Sequence, residues 1–436
     1  MAARCVSANT RRVFLPFTGG PISRQAGLRK FPTISFKLMD QHLVDLYRAW
    51  DKLERTQHEN SILDFDLAPA APFGPVGSRE EVLERLERSA ADLSGETSWE
   101  MKLAVARLKA SAAYLRALLG ETADFASYIE QTLGIKPRRF EESIIGKQRD
   151  VVWSQLQGQY RLPFVKESLR KFQMSSRVYN MNLRQHFEHF RRKWVPELLK
   201  HVPVPLDDYK IVVEFASEDA YWKNWISGNL SQHEILLRIN THPRQTWSQG
   251  SPETLVIHEY CGHAVQMVNW HRRIEKGELP QFLGILTVHF PDQFLLEGLA
   301  ESLAYLLPGR LKLEAKSVVL RELQYYYLLV LNNVHIIANE QSPANALEYA
   351  VNRLPFTPQE LIEKEIRDRT ENPLFRCYQY VYGIAKESFL SALRPLDPTQ
   401  CWNVLRRVYD TPMTARYFEE LSATMATVPQ GKASGS

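Results

Sequence analysis

Two histidines and a glutamate stand close together in His258-Glu-Tyr-Cys-Gly-His263, inside a stretch that is otherwise almost free of charge. From Thr254 to Val268, Glu259 is the only acid, and no lysine or arginine occurs. A helix this apolar on every side is buried in the protein. Burying two imidazoles and a carboxylate is costly unless they pair with one another or bind a metal. A hydrogen-bonded core cluster accounts for one such residue more readily than for three, so the pattern reads as a metal site.

The spacing narrows the chemistry. In the common zinc-peptidase pattern the histidines are four residues apart and share one helical face. Here they are five apart, which puts them about 140° apart around a regular helix. A single-residue bulge, with a locally wider turn, brings them back to one face, and Gly262 is placed to allow it. The third ligand is expected at Glu297, in Phe294-Leu-Leu-Glu-Gly-Leu-Ala-Glu301, where Glu301 lies on the same helical face. The economical assignment makes Glu297 the ligand and Glu301 the acceptor of a hydrogen bond from a ligating histidine, although the two can exchange roles. Two histidines and one glutamate leave a coordination position open to water, as in catalytic zinc sites. Glu259 is then the general base. The same donors suit non-haem iron or manganese. Zinc is favoured because a glutamate directly after the first histidine belongs to hydrolytic sites.

The elements that must position these residues are mostly helical. Apolar residues recur at helical spacing from Met39 to about Arg55, then through 100–119, 125–133, 151–172 and 176–201. Ser78 and Glu81 read as a capping box, and breaks or kinks are expected at Gly158, Pro163 and Pro196. Between residues 207 and 240 two short β-branched runs, at 209–216 and 234–240, read as antiparallel strands, and the second could offer its edge to an extended substrate. Ser251-Pro252 then caps the motif helix. Helical spacing resumes from Phe294 to Met425. The fold class expected is mostly α, with a small antiparallel sheet preceding the metal-binding helix. Its division is 1–38 as an extension, 39–200 as a helical region, 201–428 as the metal-binding region and 429–436 as a flexible tail.

Composition sets bounds on partners and setting. A net charge of +4 with no basic stripe gives no case for nucleic acid. No run of 18 apolar residues exists, so no membrane helix is expected. Four cysteines at unrelated spacings form no disulfide framework, which favours a reducing cytoplasm. Residues 1–38 hold seven lysines or arginines and no acid. They read as a disordered or mis-assigned start ahead of Met39, or else as a mitochondrial targeting segment.

The pairing of His258-Glu-Tyr-Cys-Gly-His263-Ala-Val-Gln266 with Glu297-Gly-Leu-Ala resembles a bacterial family of uncharacterised, largely helical proteins that read HEGxPGHxxQ and, further on, EGWAxY. The likeness extends through Arg369, Asn372-Pro373 and Tyr380-Val-Tyr-Gly383. It implies a helical gluzincin-like fold and metallohydrolase chemistry. This chain departs from the family in its five-residue interval, which is similar to that of dipeptidyl peptidase III. It also carries Asn333 and Ile337 where the family has an aspartate and a histidine.

Outside the metal shell, Tyr380 is expected as an oxyanion donor and Arg369 as an anion clamp, with Tyr382 a weaker candidate. The plainer alternative is an aromatic packing stripe and a surface salt bridge. Cys261 reads as packing, and His242 and His289 are left unassigned. The sequence thus points to a metal-dependent hydrolase acting on an amide or peptide bond of a small molecule or short peptide. Lyase, isomerase or oxidative chemistry on the same donors is the alternative enzyme, and a non-catalytic scaffold the alternative class.

Overall fold

The computed structural model describes residues 35–57, 63, 67, 77–121, 123–163, 165–175, 180–219, 224–243, 245, 247–307, 309 and 311–427. The expectations for residues 1–34 and 429–436 lie outside them. Contacts divide the chain into Met1–Met39 and Asp40–Ser436. Within the second unit, helices from before and after residue 200 share one core. Gln148 Nε2 donates to Glu322 Oε2 at 2.8 Å, and Trp194 Nε1 to Glu253 Oε1 at 2.8 Å.

The fold is mostly α with one small sheet. Local signals account for several helix boundaries. Ser78 accepts from the backbone N–H of Glu81, but the Glu81 carboxylate bonds Gly77 N rather than closing the box. Gly158 and Pro196 do not end their helices, Glu142–Tyr160 and Asn180–Leu199. Burial of Val152, Leu156, Trp194 and Leu198 on the inner faces outweighs the local cost.

The sheet corrects one expectation. Strand β1 (Lys210–Ala216) pairs in parallel with β3 (Glu234–Asn240), and β2 (Asn224–Asn229) pairs antiparallel on the other side of β3. The 217–233 connection contains β2, and its length lets the chain return in the same direction. Strand β3 is therefore the central strand, with both edges hydrogen-bonded, and cannot receive a substrate strand. Its Ile235, Leu237 and Ile239 are buried, alternating as one sheet face should.

Two buried ionic braces fix the helices that carry the motif. The Glu253 carboxylate, in the first turn of the motif helix, receives Lys193 Nζ at 2.7 Å, Trp194 Nε1 at 2.8 Å and Glu314 N at 2.8 Å. Asp292, at the start of helix Gln293–Leu306, takes Arg107 Nε at 3.0 Å and Nη2 at 2.5 Å. The remaining Arg107 nitrogen donates to the carbonyls of Phe282 and Ile285. A buried pair with its other donors satisfied is a positional lock more than a source of net stability.

Candidate metal centre

The motif segment winds as a π-helix from Val256 to Ala264, between α-helical turns Ser251–Leu255 and Val265–Glu275. This wide turn is longer than a single-residue bulge, and it brings His258 and His263 onto one face, with Nε2 atoms 3.2 Å apart. Gly262 is required for packing as well as for the turn. A Cβ there would lie 2.8 Å from the Cβ of Ala300, so only glycine lets the Glu297 helix approach this closely. Tyr409 donates to the Cys261 carbonyl at 2.6 Å, satisfying a group in the wide turn. Cys261 itself is buried packing, and burial pushes its thiol pKa up.

Helix Gln293–Leu306 brings Glu297 to both histidines. Glu297 Oε2 is 3.7 Å from His258 Nε2 and 3.8 Å from His263 Nε2. Ligands 2.0–2.1 Å from one tetrahedral ion lie about 3.3 Å apart, close to this triangle. Glu297 Oε2 is buried and has no hydrogen-bond partner, while Oε1 accepts from Tyr378 at 3.1 Å. An orphaned carboxylate oxygen beside two imidazole nitrogens is the donor set a divalent ion takes. Glu301 Oε1 lies 3.6 Å from His258 Nδ1, on the side of the ring away from His263. The two glutamates thus occupy distinct places, Glu297 at the ligand triangle and Glu301 behind it.

Glu259 sits beside the triangle, its Oε1 3.9 Å from His258 Nε2 and accepting from Asn224 Nδ2 at 2.6 Å. The charges around the cluster shift its titrations. Burial drives the Glu297 pKa up to about 7, against the pull of His258, and raises that of Glu259 too. Burial also raises the pKa of Glu301, but Lys386, with Nζ 3.0 Å away, and His258 outweigh it and hold Glu301 below its ordinary range. Burial lowers the His258 pKa, but Glu259, Glu301 and Glu297 together overcome it and raise the net value. His263 is lowered by burial and then by the charge on His258. The pair therefore favours one neutral imidazole, the protonation state a metal ligand needs.

Two expected residues fall elsewhere. The Tyr380 hydroxyl accepts from Arg138 N at 2.9 Å, and its ring packs edge-on against Phe125 and His335, so it is a structural tether. Arg369 is buried, pairs with Glu365 on its own helix, and does not reach the cavity. The site-facing residues of helix Pro373–Leu393 are Tyr378, Tyr382 and Lys386, spaced by four on one face, whereas Tyr380 points about 200° away from Tyr378. Tyr382 donates to the Tyr378 hydroxyl. Gly298 allows this helix pair to close, because a Cβ there would lie 2.4 Å from the Phe389 ring. Asn333 bonds both backbone groups of Phe140 and so holds a loop.

Sequence reasoning passed over Asn224, Tyr378 and Lys386. The four-residue interval from Tyr378 through Tyr382 to Lys386, matching that of Glu297 and Glu301, was the available signal for the last two. Asn224 had none, since its strand is polar and its side-chain partner Glu259 lies 35 residues along the chain. All three line a cavity of about 840 Å³ that also holds the His258–His263–Glu297 triangle and Glu259. That volume falls within the range of small-ligand sites.

No protein-family profile matches this chain, and no curated protein sequence matches it. Among solved structures it is similar to "the putative lipoprotein from Colwellia psychrerythraea", with a TM-score of 0.54 at 14% sequence identity. That likeness covers 80% of this chain and 67% of the other. At such identity it is a likeness of fold alone. Among the described residues no helix is long and apolar enough to cross a membrane.

Proposed function

We propose that the protein is a metal-dependent hydrolase that cleaves an amide or peptide bond in a small molecule or short peptide. The observation that carries this reading is the meeting of His258 Nε2, His263 Nε2 and the orphaned Glu297 Oε2 beside the Glu259 carboxylate, in the wall of one cavity. The donor set fits zinc, with iron or manganese as substitutes. Zinc bound there supplies Lewis acidity and a nucleophilic water at neutral pH.

The chain's own groups do the rest. Glu259 accepts a proton from the attacking water and returns it to the leaving nitrogen. Asn224 occupies Glu259 Oε1, which leaves Oε2 for that proton. Tyr378 holds Glu297 Oε1, so Oε2 faces the histidines. Glu301, held in turn by Lys386, orients the His258 ring through Nδ1. Because Tyr378 gives its proton to Glu297, the oxyanion-stabilising role first expected of Tyr380 falls to Tyr382, whose O–H turns from Tyr378 to the substrate. The gluzincin-like resemblance and a reducing, cytoplasmic setting belong to the same proposal. Three buried free cysteines, Cys261, Cys377 and Cys401, support the latter.

Glu259→Gln tests the assignment. It should retain the metal content of the wild type and lose amide hydrolysis by about a hundredfold to ten-thousandfold, the usual contribution of a general base. Full amide hydrolysis in that variant would remove Glu259 from its role as base, whereas a zinc-loaded wild type that cleaves no amide would remove the hydrolytic reading.

A further inference from the structure

The cavity extends past the metal triangle along helix Ala315–Glu340, and the chemistry of that extension differs from that of the triangle. Leu320, Leu323 and Tyr327 recur there at helical spacing on one face. Phe356, Pro358 and Leu361 close the other side. Leu361 is still 53% exposed, an uncovered large apolar side chain at the cavity mouth. The wall is therefore a mainly apolar surface, interrupted by Arg321, Gln324 and Thr357, that lines the same cavity as the reacting groups.

Charge along the cavity is used up internally. Arg321 is held by Glu322 at 2.5 Å and by the Ala304 carbonyl at 2.8 Å. Lys386 is held by Glu301. Glu259 and Glu297 belong to the triangle and its base. Beyond the triangle and its base, no charged lining side chain among the described residues is left to meet a substrate's carboxylate or ammonium. Bringing an unpaired charge into a partly buried cavity carries a desolvation cost that nothing here offsets.

Building on the hydrolase reading, we propose that the site takes an uncharged substrate with a bulky apolar, aromatic-sized group seated on the Leu320–Tyr327–Phe356–Leu361 wall. The substrates are then blocked or internal peptide segments and N-acyl amides. Free di- and tripeptides, which carry charged termini into the cavity, are excluded by the same chemistry.

Calorimetric titration of the zinc-loaded Glu259→Gln protein separates this inference from the catalytic one, because binding is read without turnover. Three ligands suffice: acetyl-phenylalanyl-phenylalanine amide, the same dipeptide with free termini, and acetyl-alanyl-alanine amide. The blocked aromatic peptide should bind at least tenfold tighter than either of the others, the scale set by apolar pocket contacts. Leu361→Arg, at an exposed position that tolerates substitution, should reverse the ranking between blocked and free aromatic peptides. Equal or tighter binding of the free dipeptide, equal binding of the alanyl peptide, or no binding of any of the three would overturn the proposal. Tenfold preference for the blocked aromatic peptide, with no cleavage of it by the zinc-loaded wild type, would retain the pocket assignment and remove the hydrolase reading.

Discussion

Among the described residues, the clusters around His289 and around His258 and His263 are built on opposite plans. Around His289 every polar atom of the cluster has a partner. Its Nε2 meets Ser111 Oγ at 3.0 Å, its Nδ1 meets Thr287 Oγ1 at 3.1 Å, and Tyr47 bonds Ser111 in turn at 2.7 Å. The ring stacks on Tyr114 with centroids 4.6 Å apart, and the Arg107–Asp292 pair lies alongside. Around His258 and His263 the arrangement is incomplete, with two Nε2 atoms facing each other and Glu297 Oε2 without a partner. A buried polar network that is closed fixes a fold. One that is left open against a cavity is arranged for something that is not protein.

The contrast is broken most severely by exchanging the damage. Glu297→Ala should abolish stoichiometric zinc and lower hydrolysis by at least about a thousandfold while the apo protein still folds, because it removes a ligand from a site that was never closed. His289→Ala should keep its zinc and lose about 2–4 kcal/mol of stability, since it leaves a cavity and an unpaired Thr287 hydroxyl, Ser111 keeping Tyr47. Metal analysis and urea unfolding of the two apo proteins check this. Loss of zinc in His289→Ala would erase the distinction.

A smaller effect sharpens the boundary of the open cluster. Tyr382→Phe should lower kcat by about tenfold or more, as removal of an oxyanion donor or its support does. Tyr380→Phe should leave kcat unchanged and cost about 1 kcal/mol, since its hydroxyl serves the Arg138 backbone. Steady-state kinetics on one substrate reads both, and the opposite pattern would return Tyr380 to the site.

The mildest effect is a pH slope in stability. Burial pushes the His289 pKa from 6.5 down to about 3. Between those values the unfolded chain holds a proton that the folded chain refuses. The contribution of neutral His289 is therefore complete above pH 6.5 and is lost as the pH falls toward 3. In His289→Gln the loss of stability from pH 7 to pH 5 should be shallower than in the wild type, as read from urea midpoints of the apo proteins. Parallel slopes would show that His289 is not held neutral.

The open cluster was far more legible in the sequence than its surroundings. The rarity of charge around His258, Glu259 and His263 announced burial with a purpose, and the five-residue interval announced a widened turn, found as the Val256–Ala264 π-helix. Glu297 and Glu301 stood out as isolated acids in an apolar helix. Helix phase was harder to read. Tyr380 and Tyr382 both precede Gly383, and only the packing partner decides which of the two faces points inward. The strand directions were also hidden, because β2 carries Asn224, Ser227, Gly228 and Asn229 in place of an apolar alternation. Asn224 reaches Glu259 across that unrecognised strand, and no local pattern records such a contact.

The central claim is that His258, His263 and Glu297 hold one metal ion, and anomalous diffraction at the zinc edge from crystals of the zinc-loaded protein tests it most directly. The account predicts a single strong peak about 2.0–2.2 Å from His258 Nε2, His263 Nε2 and Glu297 Oε2. A crystal with no peak within reach of these three atoms, or with its zinc bound by other residues, would contradict it.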